Sequence, residues 1–415
     1  MSTSSKRVCV VTAGHLSACP RMLKAADALA CDGYQVRVVS TNSTPWATAT
    51  DRAVMATRSW TSTVVDYDRV TGRRLQVLTG ARFRASQLIS KFIGPQRVPA
   101  AIAIRGCSRV HDELVSAVMS EPADFVYGGS TGALSAVAES ASRLGVPYGV
   151  DFEDFHSGEH SGPGSELTNA VAGRVERYVI GGASFITAGS PMIAEAYTDT
   201  YGVPVQPIHN TFSIAPFDEL PDRSDDPLRL YWFSQTLGPG RGLEEVVRAI
   251  GETNMPIELH LRARPIPAYM TSLRALRIAV APRLELAVHD PLMPDEMVRR
   301  AQPYDAGLAC EEPYVLNKRL SLANKIFTYL AAGIPVILSR TPAQARLEAD
   351  LGDSAFGYEC GSVSGLAGVL ERLAANARLR RQSRAAARAV AASRWHWEHA
   401  DDRGALLDAV AGAMR

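Results

Sequence analysis

The sequence predicts an α/β protein built from two doubly wound parallel sheets, and three observations carry that expectation. Short apolar or β-branched runs alternate with helix-length amphipathic segments in both halves of the chain, the pattern of βαβ units. At 415 residues the chain exceeds what a single core organises and suits two domains of about 200 residues each. A polar stretch with three prolines, 213–227 (SIAPFDELPDRSDDP), lies between the two series and reads as an interdomain linker.

In the first half, 7–13 (RVCVVTA) reads as a strand, 20–30 as a helix, Gly33 as a break and 35–41 (QVRVVST) as the next strand. Further strands are expected at 124–127, 148–152, 185–188 and 203–208. In the second half they are expected at 228–233, 257–261, 284–288, 306–309 and 335–338. The expected division is an N-terminal domain over 1–212, a C-terminal domain over 213–394 and a final helical segment over 395–415. Two such Rossmann-like domains face each other across a cleft and bind ligands at the carboxyl ends of their strands. The first turn, TAGHLSACP, lacks GxGxxG, and no acidic residue closes the second strand, which disfavours a nicotinamide dehydrogenase.

Composition narrows the function classes. The chain is 46% hydrophobic and 21% charged with a net charge of +1, so no global field favours nucleic acid or membrane. The cysteines at 9, 19, 31, 107, 310 and 360 are scattered and form no CxxC pair, which argues for a reducing cytosol and against structural zinc. No leader-like segment opens the sequence, and no apolar run reaches the ~18 residues of a membrane span, so a cytoplasmic protein is expected.

The stretch 321–339, SLANKIFTYLAAGIPVILS, has the make-up of a helix that holds an anion. Ser321 or Asn324 is placed to cap it, Ile326, Phe327, Tyr329 and Leu330 give it an apolar face, and Gly333 sits where a left-handed C-cap belongs. Pro335 stops the helix before a buried strand. Free N–H groups and the positive end of the helix dipole then point at whatever precedes Asn324, and phosphate is the natural occupant.

The run NKIFTYLAAGIPVI resembles the donor-site helix of the retaining GT-B glycosyltransferases, in particular a bacterial branch of the glycosyltransferase 4 family. The resemblance implies the GT-B fold, no cofactor, and a nucleotide diphosphate sugar whose diphosphate rests on the start at Asn324 and Lys325. Three further segments resemble the same family in the same order. In YWFSQTLGPGRGLEEVVRAI, Gly238, Gly240 and Gly242 let the backbone approach, and Arg241 takes the position that contacts the donor phosphates in relatives. ELHLRA, with Arg262, and AVHDPLMPDEMV, with His289 and Leu292, match the next landmarks, where relatives hold the nucleobase. HNTF at 209–212 resembles the hinge that ends the first domain. Many relatives carry two glutamates with seven residues between them. Here Leu320 and Thr328 stand in their places, and Glu311 or Glu312 is the alternative carboxylate.

In the first half, YGVDFEDFHSGEHSG at 148–162 places Asp151, Glu153, Asp154, His156, Glu159 and His160 just past a strand end. A carboxylate or imidazole there can orient an acceptor hydroxyl or take its proton. His156 and His160 have a metal-like spacing, but the Gly/Ser-rich segment is not helical, which disfavours zinc. His15 belongs to the same acceptor side, as does Asp151. From 69 to 110 there are nine Lys or Arg and no Asp or Glu; the stretch reads either as a solvated helical excursion or as a contact for a membrane or an anionic acceptor. SRWHWEHADDRGALLDAVAGAM resembles the family's closing segment, with Trp395 and Trp397 as packing residues.

The resemblance therefore implies a metal-independent, retaining transfer of a sugar to an acceptor hydroxyl on a lipid, polysaccharide or small metabolite. Arg241 and Lys325 would act on the diphosphate, and Glu153, Asp154 or His156 on the acceptor. The alternatives are a nucleotide-sugar epimerase or hydrolase on the same fold, and a non-catalytic nucleotide-sugar-binding partner of an active transferase.

Overall fold

The computed structural model describes residues 5–95, 97–217 and 227–415. Of the stretch read as a linker, 218–226 lies outside the described residues. The chain divides into two compact units. One holds the described residues up to His209 with Val315–Asn317 and Ala400–Arg415; the other holds Asn210–Tyr314 and Lys318–His399.

The first unit is built on seven parallel strands: β1 (Arg7–Thr12), β2 (Gln35–Asn42), β3 (Thr61–Asp66), β4 (Phe125–Gly129), β5 (Tyr148–Phe152), β6 (Phe185–Ala188) and β7 (Gln206–Pro207). They lie in the order β3-β2-β1-β4-β5-β6-β7. Val8 pairs with Val36 and Phe125, and Val10 with Val38 and Tyr127, so the central strands are apolar on both faces, as a sheet covered by helices requires. Strand β3 was not expected from the sequence. Its TSTVVD run is mostly solvent-facing at the sheet edge and lacks the apolar signal. The strand expected over 203–208 shrinks to β7, because Pro207 has no N–H for the ladder.

The second unit repeats the plan with six parallel strands: β8 (Leu228–Leu237), β9 (Ile257–Pro265), β10 (Glu285–His289), β11 (Ala306–Ala309), β12 (Val336–Ser339) and β13 (Ala355–Tyr358). Their order, β10-β9-β8-β11-β12-β13, again reverses direction beside the first strand, between β8 and β11. Strand β13 was missed because a four-residue edge strand containing Gly357 carries little pattern. Leu230, Trp232, Leu259 and Leu261 pack with Leu243, Val246 and Val247 of the helix Leu243–Glu252 to form this unit's core. That helix is amphipathic, with its acidic residues Glu244 and Glu245 in the first turn, where they suit the dipole.

The helix Asn324–Ala331 leads into β12. At its end the Gly333 N–H donates to the Leu330 carbonyl (2.8 Å) and the Ile334 N–H to the Tyr329 carbonyl (3.0 Å), a Schellman closure that Gly333 permits with φ +69°. The start differs from expectation. Ala323 is the N-cap and gives no side-chain hydrogen bond, so neither Ser321 nor Asn324 caps the helix, and Asn324 is its first residue.

Candidate active site

The second unit gathers most of the expected donor residues at the carboxyl ends of its strands. After β8 the chain turns through Gly238, Gly240 and Gly242 into the helix Leu243–Glu252. Gly240 and Gly242 have φ of +71° and +70°, and a Cβ on Gly242 would run into the Cys310 carbonyl, so glycine is required there for both conformation and space. That close approach lays the glycine turn against the segment after β11, where Glu311 follows Cys310. Arg241 projects from the turn half-buried, and its guanidinium has no ion pair or hydrogen bond with the described residues.

Lys325 is placed differently from the sequence expectation. It is buried, its Nζ donates to Glu311 Oε1 (2.9 Å), and it lies over the Trp232 ring at 5.6 Å. Lys318 donates to the other Glu311 oxygen, also at 2.9 Å. Burial alone would raise the Glu311 pKa, but the two lysine charges and their hydrogen bonds overcome it and hold the carboxyl well below the usual carboxylate range. The three groups together carry a net positive charge.

Thr328 is only 1% exposed, and its hydroxyl turns back to the Asn324 carbonyl (3.5 Å). Glu312 does not share the lysine cluster; Glu311 does. Glu312 lies near Glu245, whose pKa is raised by burial and then by the Glu312 charge.

Arg262 donates through Nε to the Tyr231 hydroxyl (3.0 Å) and through Nη1 to the Asp290 carbonyl (2.7 Å), which fixes the chain leaving β10 toward Leu292. Leu292 is half-buried on that loop. His289, last in β10, is bonded to His260 of β9. The sequence reading passed over Glu258 and His260, although the alternation E-x-H-x-R within a strand puts all three on one face.

In the first unit the loop after β5 is divided between scaffold and reactive groups. Asp151 is held as a scaffold residue is: Arg21 Nε donates to it at 2.7 Å, Thr187 also donates, and it is 1% exposed. His15 is likewise occupied. Its Nδ1 is 2.9 Å from Asp51 Oδ2, and its Nε2 accepts from the Ser43 N–H (3.3 Å), which closes both ring nitrogens. Glu153 and Asp154 are half-buried, and Asp154 Oδ1 accepts from Asn317 Nδ2 (2.7 Å).

His156 is buried with Nδ1 2.6 Å from Glu159 Oε1 and 3.0 Å from Thr131 Oγ1, while its buried Nε2 has no partner among the described residues. Burial opposes the charged imidazole, but the Glu159 hydrogen bond and charge outweigh it, so the His156 pKa is raised. Beneath this loop Glu176, also missed in the sequence, accepts from Ser157 N, Tyr197 Oη and Tyr201 Oη and fixes the backbone. Among the described residues no cluster of three or more His, Cys, Asp or Glu is placed to hold a metal ion, and no helix is long and apolar enough to cross a membrane.

Residues 20–211 match the family model of the glycosyl transferase 4-like domain. No curated protein sequence matches the chain. Among solved structures, HepE from Anabaena in complex with UDP and glucose is 14% identical over 99% of both chains, with a TM-score of 0.69. Sucrose-phosphate synthase from Thermosynechococcus elongatus is 11% identical, covering 99% of this chain and 100% of that one, with a TM-score of 0.65. A Listeria monocytogenes protein proposed to be a UDP-N-acetylglucosamine 2-epimerase is 14% identical over 98% and 96%, with a TM-score of 0.60. At these identities the likeness establishes the fold, which is GT-B.

Proposed function

We propose that this chain, a GT-B protein carrying a glycosyl transferase 4-like domain, moves a sugar from a nucleotide diphosphate sugar to an acceptor hydroxyl without a metal ion and with retention of configuration. The observation that carries the reading is Arg241, a cation with no partner among the described residues, on a glycine turn packed against Cys310, next to Glu311. A departing diphosphate needs positive charge and aimed N–H donors already in place, since preorganised groups cost no reorganisation as charge develops. Arg241, the positive end of the Asn324–Ala331 helix dipole and the net positive lysine cluster would supply the charge. The second unit would thus be the donor domain and the first the acceptor domain.

On the acceptor side, His156 is better suited to donate from Nε2 than to take a proton, because Glu159 favours its charged form. Glu153 or Asp154 would then be the group that receives the hydroxyl proton. HepE has been solved with UDP-glucose, which supports uridine donors as the first to test. The test is a thermal-shift panel of UDP, GDP, ADP, dTDP and their sugar conjugates, followed by product analysis with and without acceptor pools. A ligand at ~100 times its Kd adds about 2.7 kcal/mol to the folded state. Epimer or free sugar formed with no acceptor present would favour the epimerase or hydrolase reading, and binding without turnover would favour a non-catalytic partner.

The same reading extends to a peripheral contact at the inner face of a membrane. In the helix Arg73–Ile93 the buried positions are Thr79, Ser86 and Ser90, whereas Val77, Leu78, Leu88, Ile89, Phe92 and Ile93 are exposed, Phe92 by 82%. Arg73, Arg84 and Lys91 rim that apolar face and meet no carboxylate among the described residues. An apolar stripe edged by cations suits an anionic lipid surface. Flotation with vesicles containing phosphatidylglycerol, against phosphatidylcholine alone, tests it: a Phe92→Ser, Leu88→Ser variant should lose binding, and equal binding to both vesicle types would refute it.

A further inference from the structure

Three consecutive backbone N–H groups in the loop after β5 each donate to a side chain from elsewhere in the chain. The Phe155 N–H donates to Asn317 Oδ1 (2.8 Å), the His156 N–H to Tyr197 Oη (3.1 Å) and the Ser157 N–H to Glu176 Oε1 (2.9 Å). A loop runs over the surface and can leave its N–H groups to water; here side chains take three in a row. Asn317 belongs to the first unit with the other three elements.

The three acceptors are themselves buried and held. Glu176, 1% exposed on the helix Ser165–Ile180, also accepts from the hydroxyls of Tyr197 (2.8 Å) and Tyr201 (2.6 Å). Those tyrosines lie four residues apart on one side of the helix Pro191–Tyr201. The Tyr197 ring is fully buried and packs on Phe152 and Phe155, with centroids 4.3 and 4.9 Å away. Its hydroxyl has one hydrogen and two acceptors in reach, Glu176 Oε1 and the Asp154 carbonyl at 3.2 Å. The carboxylate is closer and charged and takes the hydrogen, which leaves the Oη lone pairs to the His156 N–H. Asn317 uses its other end as well, donating from Nδ2 to Asp154 Oδ1 (2.7 Å). Asp154 Oδ2 has no partner among the described residues. The His156 ring is fixed separately, through Glu159 and Thr131.

We propose that Asn317, Tyr197 and Glu176 are positioning residues for the transfer, holding the 154–157 backbone in one conformation before substrate arrives so that the Asp154 carboxylate and the His156 ring are presented together. The inference rests on the acceptor-side reading of Asp154 and His156, and it assigns three residues that touch no substrate. Such preorganisation is felt in turnover, because a displacement of about 1 Å at the reacting groups can cost up to ~10²-fold.

Tyr197→Phe is the sharpest test, since it removes the hydroxyl, keeps the aromatic packing and changes no charge beside His156. Turnover of the full chain is measured at saturating donor with the acceptor varied, together with donor Kd, denaturation midpoint, NMR titration of the His156 ring and amide exchange over 155–157. Tyr197→Phe should lower kcat about 10-fold or more with donor Kd unchanged. It should also speed exchange of the His156 amide and lower the His156 ring midpoint as the ring drifts from Glu159. Asn317→Ala should give the same split of kcat from donor Kd with faster exchange at Phe155, and Glu176→Gln with faster exchange at Ser157. A merely structural role would lower the denaturation midpoint and leave kcat per folded molecule and the His156 midpoint at their wild-type values. That result in Tyr197→Phe would overturn the inference while leaving the transfer reading standing. Absence of transfer by the wild type to every acceptor pool would overturn both.

Discussion

Lys325 Nζ and Glu311 Oε1 are 2.9 Å apart in a buried ion pair, and the second Glu311 oxygen holds Lys318 at the same distance. One carboxylate thereby orients two cations beside the glycine turn that carries Arg241. The arrangement separates a positive site that is fixed, the lysine cluster, from one that is open, Arg241.

Glu311→Gln should therefore act on stability first. Removing one partner of a buried pair strands the remaining charges and typically costs about 3–5 kcal/mol. The Glu311 pKa is depressed in the folded state, so its contribution is present in full above the ordinary carboxylate range and is lost as pH falls through the folded value. Chemical denaturation across pH 3–7 checks both points; an unchanged midpoint in Glu311→Gln would show that the cluster does not stabilise the unit.

Asp151→Asn should behave as a folding variant. Its carboxylate faces the buried Arg21 guanidinium, and neutralising it should cost about 3–5 kcal/mol. Activity per folded molecule should be retained. Wild-type stability together with a lost acceptor reaction would return Asp151 to the acceptor side.

The Glu159–His156 pair should set a pH dependence of the opposite sign. His156 has a raised pKa in the folded state, so its stabilising contribution is complete below the ordinary histidine value of about 6.5 and is lost as pH rises through the folded value. NMR titration of the His156 ring should give a midpoint above 6.5, and Glu159→Gln should lower it. A midpoint at or below 6.5 in the wild type would contradict the pairing.

The fold was legible wherever strands are buried on both faces. RVCVVT and VILS announce themselves through apolar runs and QVRVVSTN through its β-branched residues, and Gly333 and Gly242 mark turns that only glycine makes without strain. Edge strands were not, because β3 and β13 carry half-exposed or glycine-broken sequences. In the site, chain order placed Arg241 beside its glycines, but which carboxylates are consumed internally could not be read from spacing. Asp151, His15 and Thr328 look as reactive in sequence as His156 does. Only the Arg21, Asp51 and Asn324 partners, brought from other positions in the chain or from the preceding helical turn, close them off. Glu311 and Glu312 are adjacent in sequence and separated in role by which of them two distant lysines reach.

The most direct measurement is turnover of Arg241→Ala with the donor saturating. The expected loss is ~10²-fold or more, as for removal of one preorganised charge-stabilising group, with unfolding unchanged because Arg241 has no partner to lose among the described residues. Wild-type turnover at full donor occupancy would contradict it.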